Sequence, residues 1–137
     1  MDERYSYLGR VVTVEYSRQL GYFGHIILDM RTEIEPCQWF PNTTIYETND
    51  DVIILVELAG LRNEDVDVVV QGNQLIVSGE RLLPISQPSS VFHNVEIPTG
   101  TFQKVIRFSC PIAVDLVRRA MRDGLLEIRV PKAGLVP

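Results

Sequence analysis

The stretch Met121-Arg122-Asp123-Gly124-Leu125-Leu126-Glu127-Ile128-Arg129-Val130-Pro131-Lys132 decides the fold class of this chain. Asp123-Gly124 indicates a tight turn, because glycine adopts a positive φ without strain. Apolar and charged side chains then alternate from Leu126 to Val130, until the proline ends the strand. Such a strand covers a core with one face and meets water with the other, as strands in antiparallel sheets do.

The same device occurs earlier in the chain, in Gln71-Gly72-Asn73-Gln74-Leu75-Ile76-Val77-Ser78-Gly79-Glu80-Arg81. A Gly-Asn turn there precedes a strand that is rich in β-branched residues. Upstream, residues 51–60 are apolar on both faces between Val52 and Val56. That pattern predicts a central strand covered on both sides.

Three further segments complete a pattern of short strands separated by turns. Residues 65–70 alternate, with Val66 and Val68 predicted to point inward. Residues 101–108 and a short piece around Arg119-Ala120-Met121 are also predicted strands. The spacing indicates an all-β fold, an immunoglobulin-like antiparallel β-sandwich.

Five motifs in a fixed order make residues 39–132 resemble the α-crystallin domain of the small heat-shock proteins. They are Trp39-Phe40-Pro41-Asn42-Thr43-Thr44-Ile45-Tyr46-Glu47-Thr48, Val56-Glu57-Leu58-Ala59-Gly60-Leu61 followed by Asn63-Glu64-Asp65-Val66, Leu75-Ile76-Val77-Ser78-Gly79-Glu80-Arg81, Gly100-Thr101-Phe102, and the stretch from Asp123 to Lys132. Ala59-Gly60 stands where the family has Pro-Gly, and Phe108-Ser109 where it has Leu-Pro. The resemblance implies an ATP-independent chaperone, a stress-response holdase that keeps partly unfolded proteins from aggregating and needs no cofactor.

The chain divides into an N-terminal arm (1–38), the α-crystallin domain (39–132) and a short tail (133–137). Leu20, Phe23, Ile27 and Met30 lie at helical spacing, but two glycines interrupt them, which predicts a partly helical or irregular arm. The resemblance implies that the arm contacts clients and neighbouring subunits. The residues expected to do so are Tyr16, Leu20, Tyr22, Phe23 and Ile27. A helix packed on the sandwich is the alternative.

Residues 82–99 form a connection of unusual length, and such loops are commonly functional. Val91-Phe92-His93-Asn94-Val95 is a candidate short strand within it. The resemblance implies a homodimer in which this strand crosses to a partner and pairs with its Thr44-Ile45-Tyr46-Glu47 edge. The residues expected at this dimer interface are Ile45, Tyr46, Glu47, Val91, Phe92 and His93. A loop folded back on its own domain is the alternative.

Two basic residues of the 101–108 segment are also candidates for the dimer interface. Lys104 and Arg107 are expected to point toward acids of a partner. A solvated strand face explains them equally well, because exposed ion pairs contribute only about 0–1 kcal/mol.

The resemblance further implies an apolar, peptide-binding groove at the sandwich edge. Its expected lining is Val66, Val68, Val70, Ala120 and Met121, although valines that simply fill the core are the alternative. Family members usually fill this groove with an Ile-x-Ile or Ile-x-Val tail from a neighbour. Ala133-Gly134-Leu135-Val136-Pro137 contains no such triad, which argues against assembly through the tail but leaves a larger homo-oligomer open beside the homodimer.

Composition and the scarcity of reactive groups exclude several function classes. A net charge of −5 and a pI near 5.0 argue against nucleic acid. No apolar run is long enough for a membrane span, so a cytoplasmic protein with reduced Cys37 and Cys110 is expected.

The chain also carries no recognisable catalytic or metal site. His25 and His93, its only histidines, lie in the arm and the long loop, so neither a catalytic triad nor a metal site is predicted. An enzyme is therefore not expected. A non-catalytic scaffold or co-chaperone of the CS-domain type is the alternative function, although that domain lacks the long loop.

Overall fold

The computed structural model describes residues 37–135 together with the backbone of two earlier strands, Val11–Thr13 and Ile27–Arg31. The strands within these residues are β1 (Val11–Thr13), β2 (Ile27–Arg31), β3 (Thr43–Glu47), β4 (Asp51–Glu57), β5 (Val66–Gln71), β6 (Gln74–Arg81), β7 (Gly100–Phe108), β8 (Arg118–Arg122) and β9 (Leu125–Pro131). Two short 3-10 helices lie between strands, η1 (Asn63–Asp65) and η2 (Val114–Leu116), and a third, η3 (Lys132–Gly134), follows β9.

The strands form two sheets in which every paired strand is antiparallel. One sheet has the order β1-β2-β7-β6-β5 and the other the order β3-β4-β9-β8. The predicted all-β sandwich is confirmed. Each sheet turns one row of side chains toward the other, and these two rows form the core.

The helix that the apolar spacing favours in a partly helical or irregular N-terminal arm does not form where the structure describes the arm. Ile27 and Met30 belong to β2, which pairs with β7 in the five-stranded sheet. The pairing of β2 with β7 shifts its register between Ile27 and Asp29, which marks a β-bulge or irregularity. Tyr16, Leu20, Tyr22 and Phe23 lie outside the described residues.

The two turns found in the sequence have the backbone that their residues favour. Asp123 and Gly124 have φ values of 50° and 81°, both positive, as a two-residue hairpin of type I′ requires. Gly124 also lies against the start of another connection. Its carbonyl accepts a hydrogen bond from the Leu58 N–H at 2.7 Å, and an added Cβ would stand 3.2 Å from Ala59 Cα.

Strand β4 lies inside the four-stranded sheet, between β3 and β9. Val52, Ile53, Ile54 and Val56 are all buried, so both faces of this strand are covered as its sequence predicts. In β7 every second residue from Gly100 to Phe108 is buried. This alternation places one row of β7 side chains in the core between the sheets.

Candidate functional site

The connection between β6 and β7, residues 82–99, carries most of the exposed large apolar side chains of the described chain. Val91 is 77% exposed and Phe92 is 59% exposed. The exposed apolar side chains of this connection are Leu82, Ile85, Val91, Phe92, Val95 and Ile97. No strand forms at residues 91–95, and every residue from 84 to 99 is exposed. An apolar segment left in water in this way marks an interaction surface.

A buried arginine fixes the base of this connection. Arg81, the last residue of β6, is only 8% exposed. Its Nε and Nη2 atoms donate to the Pro98 carbonyl at 3.0 and 2.7 Å, and its Nη1 donates to the Ala59 carbonyl at 3.3 Å. The planar guanidinium therefore joins the two ends of the loop, while the residues between them project outward.

The Arg81 guanidinium packs on Trp39, one member of an aromatic pair. The Arg81 guanidinium carbon lies 3.9 Å from the centre of the Trp39 ring, a cation–π contact. Trp39 packs edge-on against Phe102, with ring centres 5.3 Å apart, and its Nε1 donates to the Gly100 carbonyl at 2.7 Å. The base of the 82–99 connection is thus joined to the core through successive contacts from Arg81 to Trp39 and from Trp39 to Phe102.

We expect Arg81→Lys to lower the free energy of unfolding by about 1–3 kcal/mol, because lysine cannot reproduce the forked hydrogen bonds to Pro98. Urea unfolding followed by Trp39 fluorescence measures the change. Arg122→Lys, at an exposed position, is the matched control and should stay within about 0.5 kcal/mol of the parent. Equal effects of the two substitutions would contradict the role given to Arg81.

Strand β3 is an edge of the four-stranded sheet, and only β4 pairs with it among the described strands. Tyr46 faces outward and is partly exposed, whereas Ile45 packs against the core. Glu47 forms an ion pair with Lys132 at 3.1 Å in which both side chains are largely buried. Of the three interface residues predicted on β3, Tyr46 alone presents its side chain to solvent, and the edge itself offers backbone groups.

Lys104 and Arg107 do not share a face of β7. Lys104 is 1% exposed and lies in the inner row between Phe102 and Ile106, whereas Arg107 lies on the outer face. The expectation that both residues point toward a partner is corrected for Lys104, because residues three apart on a strand face opposite sides.

Strands β5 and β8 are the edges of the two different sheets. Val66 is buried, while Val68 and Val70 are half-buried and pack against the core, as Met121 does from β8. Ala120 pairs with Glu127 and therefore lies on the opposite face of β8 from Met121. The structure thus brings four of the five predicted groove residues to the inner side of the two edges and leaves Ala120 outside.

Sequence reasoning missed two arginines that the structure places at these surfaces, Arg81 and Arg119. Arg119 reaches from β8 to the Val66 carbonyl of β5. Both residues act through partners far away in sequence, so no local motif marks them. The one local signal is that Arg81 occupies an inward-facing position of β6, where a charged residue is unusual.

Among the described residues, no three His, Cys, Asp or Glu side chains lie close enough together to ligate a metal ion. No helix in the same part of the chain has the length and apolar character that a membrane crossing requires.

Comparison with known proteins places this sandwich among characterised relatives. Residues 44–135 match the Hsp20/alpha crystallin family. The chain is 34% identical over 88 residues to the 16.9 kDa class I heat shock protein 3 of Oryza sativa subsp. japonica, a match that covers 64% of this chain and 59% of the rice protein. The chain therefore spans about three fifths of the length of this curated relative.

Solved structures of similar proteins agree with the architecture. Heat shock protein 16.0 from Schizosaccharomyces pombe superposes with a TM-score of 0.63 at 27% identity, covering 71% of this chain and 90% of that one. The hspA protein from Xanthomonas axonopodis superposes with a TM-score of 0.62 at 28% identity, covering 73% of this chain and all of that one.

Proposed function

The chain belongs to the Hsp20/alpha crystallin family, and on that premise we propose that it is an ATP-independent holdase for partly unfolded proteins. The observation that carries the proposal is the row of half-buried apolar side chains, Val68, Val70 and Met121, beside the two edge strands β5 and β8. Apolar surface of this kind binds the apolar surface that an unfolding client exposes, and no chemical step is needed.

We propose that the working unit is a homodimer formed by exchange of the connection at residues 82–99, named the exchange arm to distinguish it from the N-terminal arm. Residues 91–95 would pair with the partner's β3, an edge whose outer side has no strand in the described chain. Exchange would cover the apolar side chains of the exchange arm and the open edge of β3 together. Uncovered edges of this kind recruit other chains. The hydrogen bond from Arg81 to the Pro98 carbonyl supports this arrangement, because it fixes the point at which the exchange arm leaves the sandwich.

Client binding would use the groove between β5 and β8 and the N-terminal arm. The half-buried side chains of Val68, Val70 and Met121 offer alternate apolar contacts beside two open strand edges. An extended client segment suits such a site, because its backbone pairs with an edge while its side chains enter pockets. The part played by Tyr16, Leu20, Tyr22 and Phe23 stays a prediction from their aromatic and apolar chemistry.

We expect the protein to suppress heat-induced aggregation of an unstable client without nucleotide. Light scattering of the client, measured with and without the chain at equal and several-fold excess, tests this. Deleting residues 1–26 keeps β2 and removes the predicted client-binding residues of the N-terminal arm except Ile27. Suppression of client aggregation should therefore weaken. An inert protein at the same concentration is the control. Unchanged scattering at several-fold excess would favour the scaffold alternative.

A further inference from the structure

One side chain crosses the gap between the two edge strands. Arg119 pairs with Ile128 across β8 and β9, so it belongs to the inner row that also contains Met121. Its Nε donates to Asn63 Oδ1 at 2.9 Å, and its Nη2 donates to the carbonyls of Asn63 and Val66 at 2.5 and 2.6 Å. These contacts join the edge of the four-stranded sheet to the beginning of the edge strand of the other.

The acceptor side of this contact is held in place by its own ion pair. Asp65 accepts hydrogen bonds from the Arg62 backbone N–H at 3.0 Å and from Arg62 Nε at 3.2 Å. The Arg62 side chain holds the pKa of the Asp65 carboxyl below its ordinary value. This pair caps the short helix η1, whose first residue is Asn63.

Arg119 meets neutral acceptors that suit a forked cation. Its partners are two backbone carbonyls and one side-chain amide oxygen, all within one turn of the chain. Arginine stays charged at every physiological pH, so the contact does not depend on titration. The hydrogen bond to the Val66 carbonyl places the guanidinium beside the first residue of β5.

We propose that Arg119 is a clasp that closes the Val66 end of the groove between β5 and β8. An extended client segment then lies only against Val68, Val70 and Met121, which limits it to a short apolar stretch. This inference rests on the proposed function, because it assigns a length limit to the groove in which clients bind. Without the clasp, β5 and β8 would part at this end and accept a longer segment.

Hydrogen exchange of the full chain tests the clasp itself. In Arg119→Ala we expect backbone amides of residues 63–68 to exchange about tenfold faster than in the parent. Arg118→Ala is the matched control, because Arg118 is exposed and donates only to the carbonyls of Asp115 and Val117 in its own connection. Asn63→Ala removes one acceptor from an exposed position and should give a smaller increase. Identical exchange in Arg119→Ala and Arg118→Ala overturns the clasp.

A peptide titration tests the length limit. Two fluorescent extended peptides are compared, one with apolar residues at positions i and i+2 and one with a third at i+4. The parent should bind both within about threefold, whereas Arg119→Ala should bind the longer one about tenfold more tightly. No gain for the longer peptide overturns the length limit. If neither peptide binds either protein, the groove is not the client site, and exchange alone judges the clasp.

Discussion

Replacing Phe102 by alanine is expected to lower the free energy of unfolding by about 3–5 kcal/mol. Phe102 is 2% exposed and stands in the inner row of β7 against the Trp39 ring. Its ring also fills the space beside Gly79, where an added Cβ would come within 3.0 Å of the Phe102 ring. Truncation would therefore leave a cavity that the neighbouring glycine cannot fill, and urea unfolding measures the loss.

The matched control for this prediction is Phe92→Ala. Phe92 has the same side chain but lies in the exposed exchange arm at residues 82–99. Its truncation should therefore change the free energy of unfolding by at most about 0.5 kcal/mol. The comparison is made at a concentration at which sizing shows a monomer, because the arm is proposed to bind a partner. Similar losses for the two variants would mean that the core does not centre on the Phe102 and Trp39 pair.

Local patterns carry those features of the sandwich that depend on alternation or on turn chemistry. The Asp123-Gly124 turn, the two-sided burial of β4 and the inward phase of Val66 all follow from neighbours within a few residues. Each is decided by the direction of side chains along one strand or by the φ values that a residue tolerates. Tertiary contacts then select a register without changing those preferences.

The features that sequence reasoning missed depend on contacts between distant segments. Arg81 donates hydrogen bonds to the Ala59 and Pro98 carbonyls, 22 and 17 residues away. Arg119 donates to Asn63, which lies 56 residues away. Pairing of β2 with β7 likewise overrode a weak helical spacing. Lys104 is different, because the alternation of β7 already assigned it to the row of Phe102. Its charge led to the expectation of a surface contact, and the phase was the better guide.

Removal of the exchange arm is expected to convert the proposed dimer into a monomer. Replacing residues 84–95 by a Gly-Ser linker of about four residues keeps Arg81 and Pro98 and removes the exposed apolar side chains of Ile85, Val91, Phe92 and Val95. Burying one such side chain contributes about 1.5–3 kcal/mol before the losses of association are subtracted. We therefore expect the dimer dissociation constant to rise at least about 100-fold. Sedimentation velocity over a range of concentrations measures it.

Two point variants separate the apolar contact from a general effect of charge on the arm. Phe92→Asp places a carboxylate where exchange would bury an apolar ring, and we expect it to weaken the dimer about as strongly as removal of the arm. Ser89→Asp adds the same charge to an exposed polar position three residues earlier and should leave the dissociation constant within about threefold. A dimer that survives removal of the arm would be held by another surface, and Tyr46 on β3 would then stay exposed.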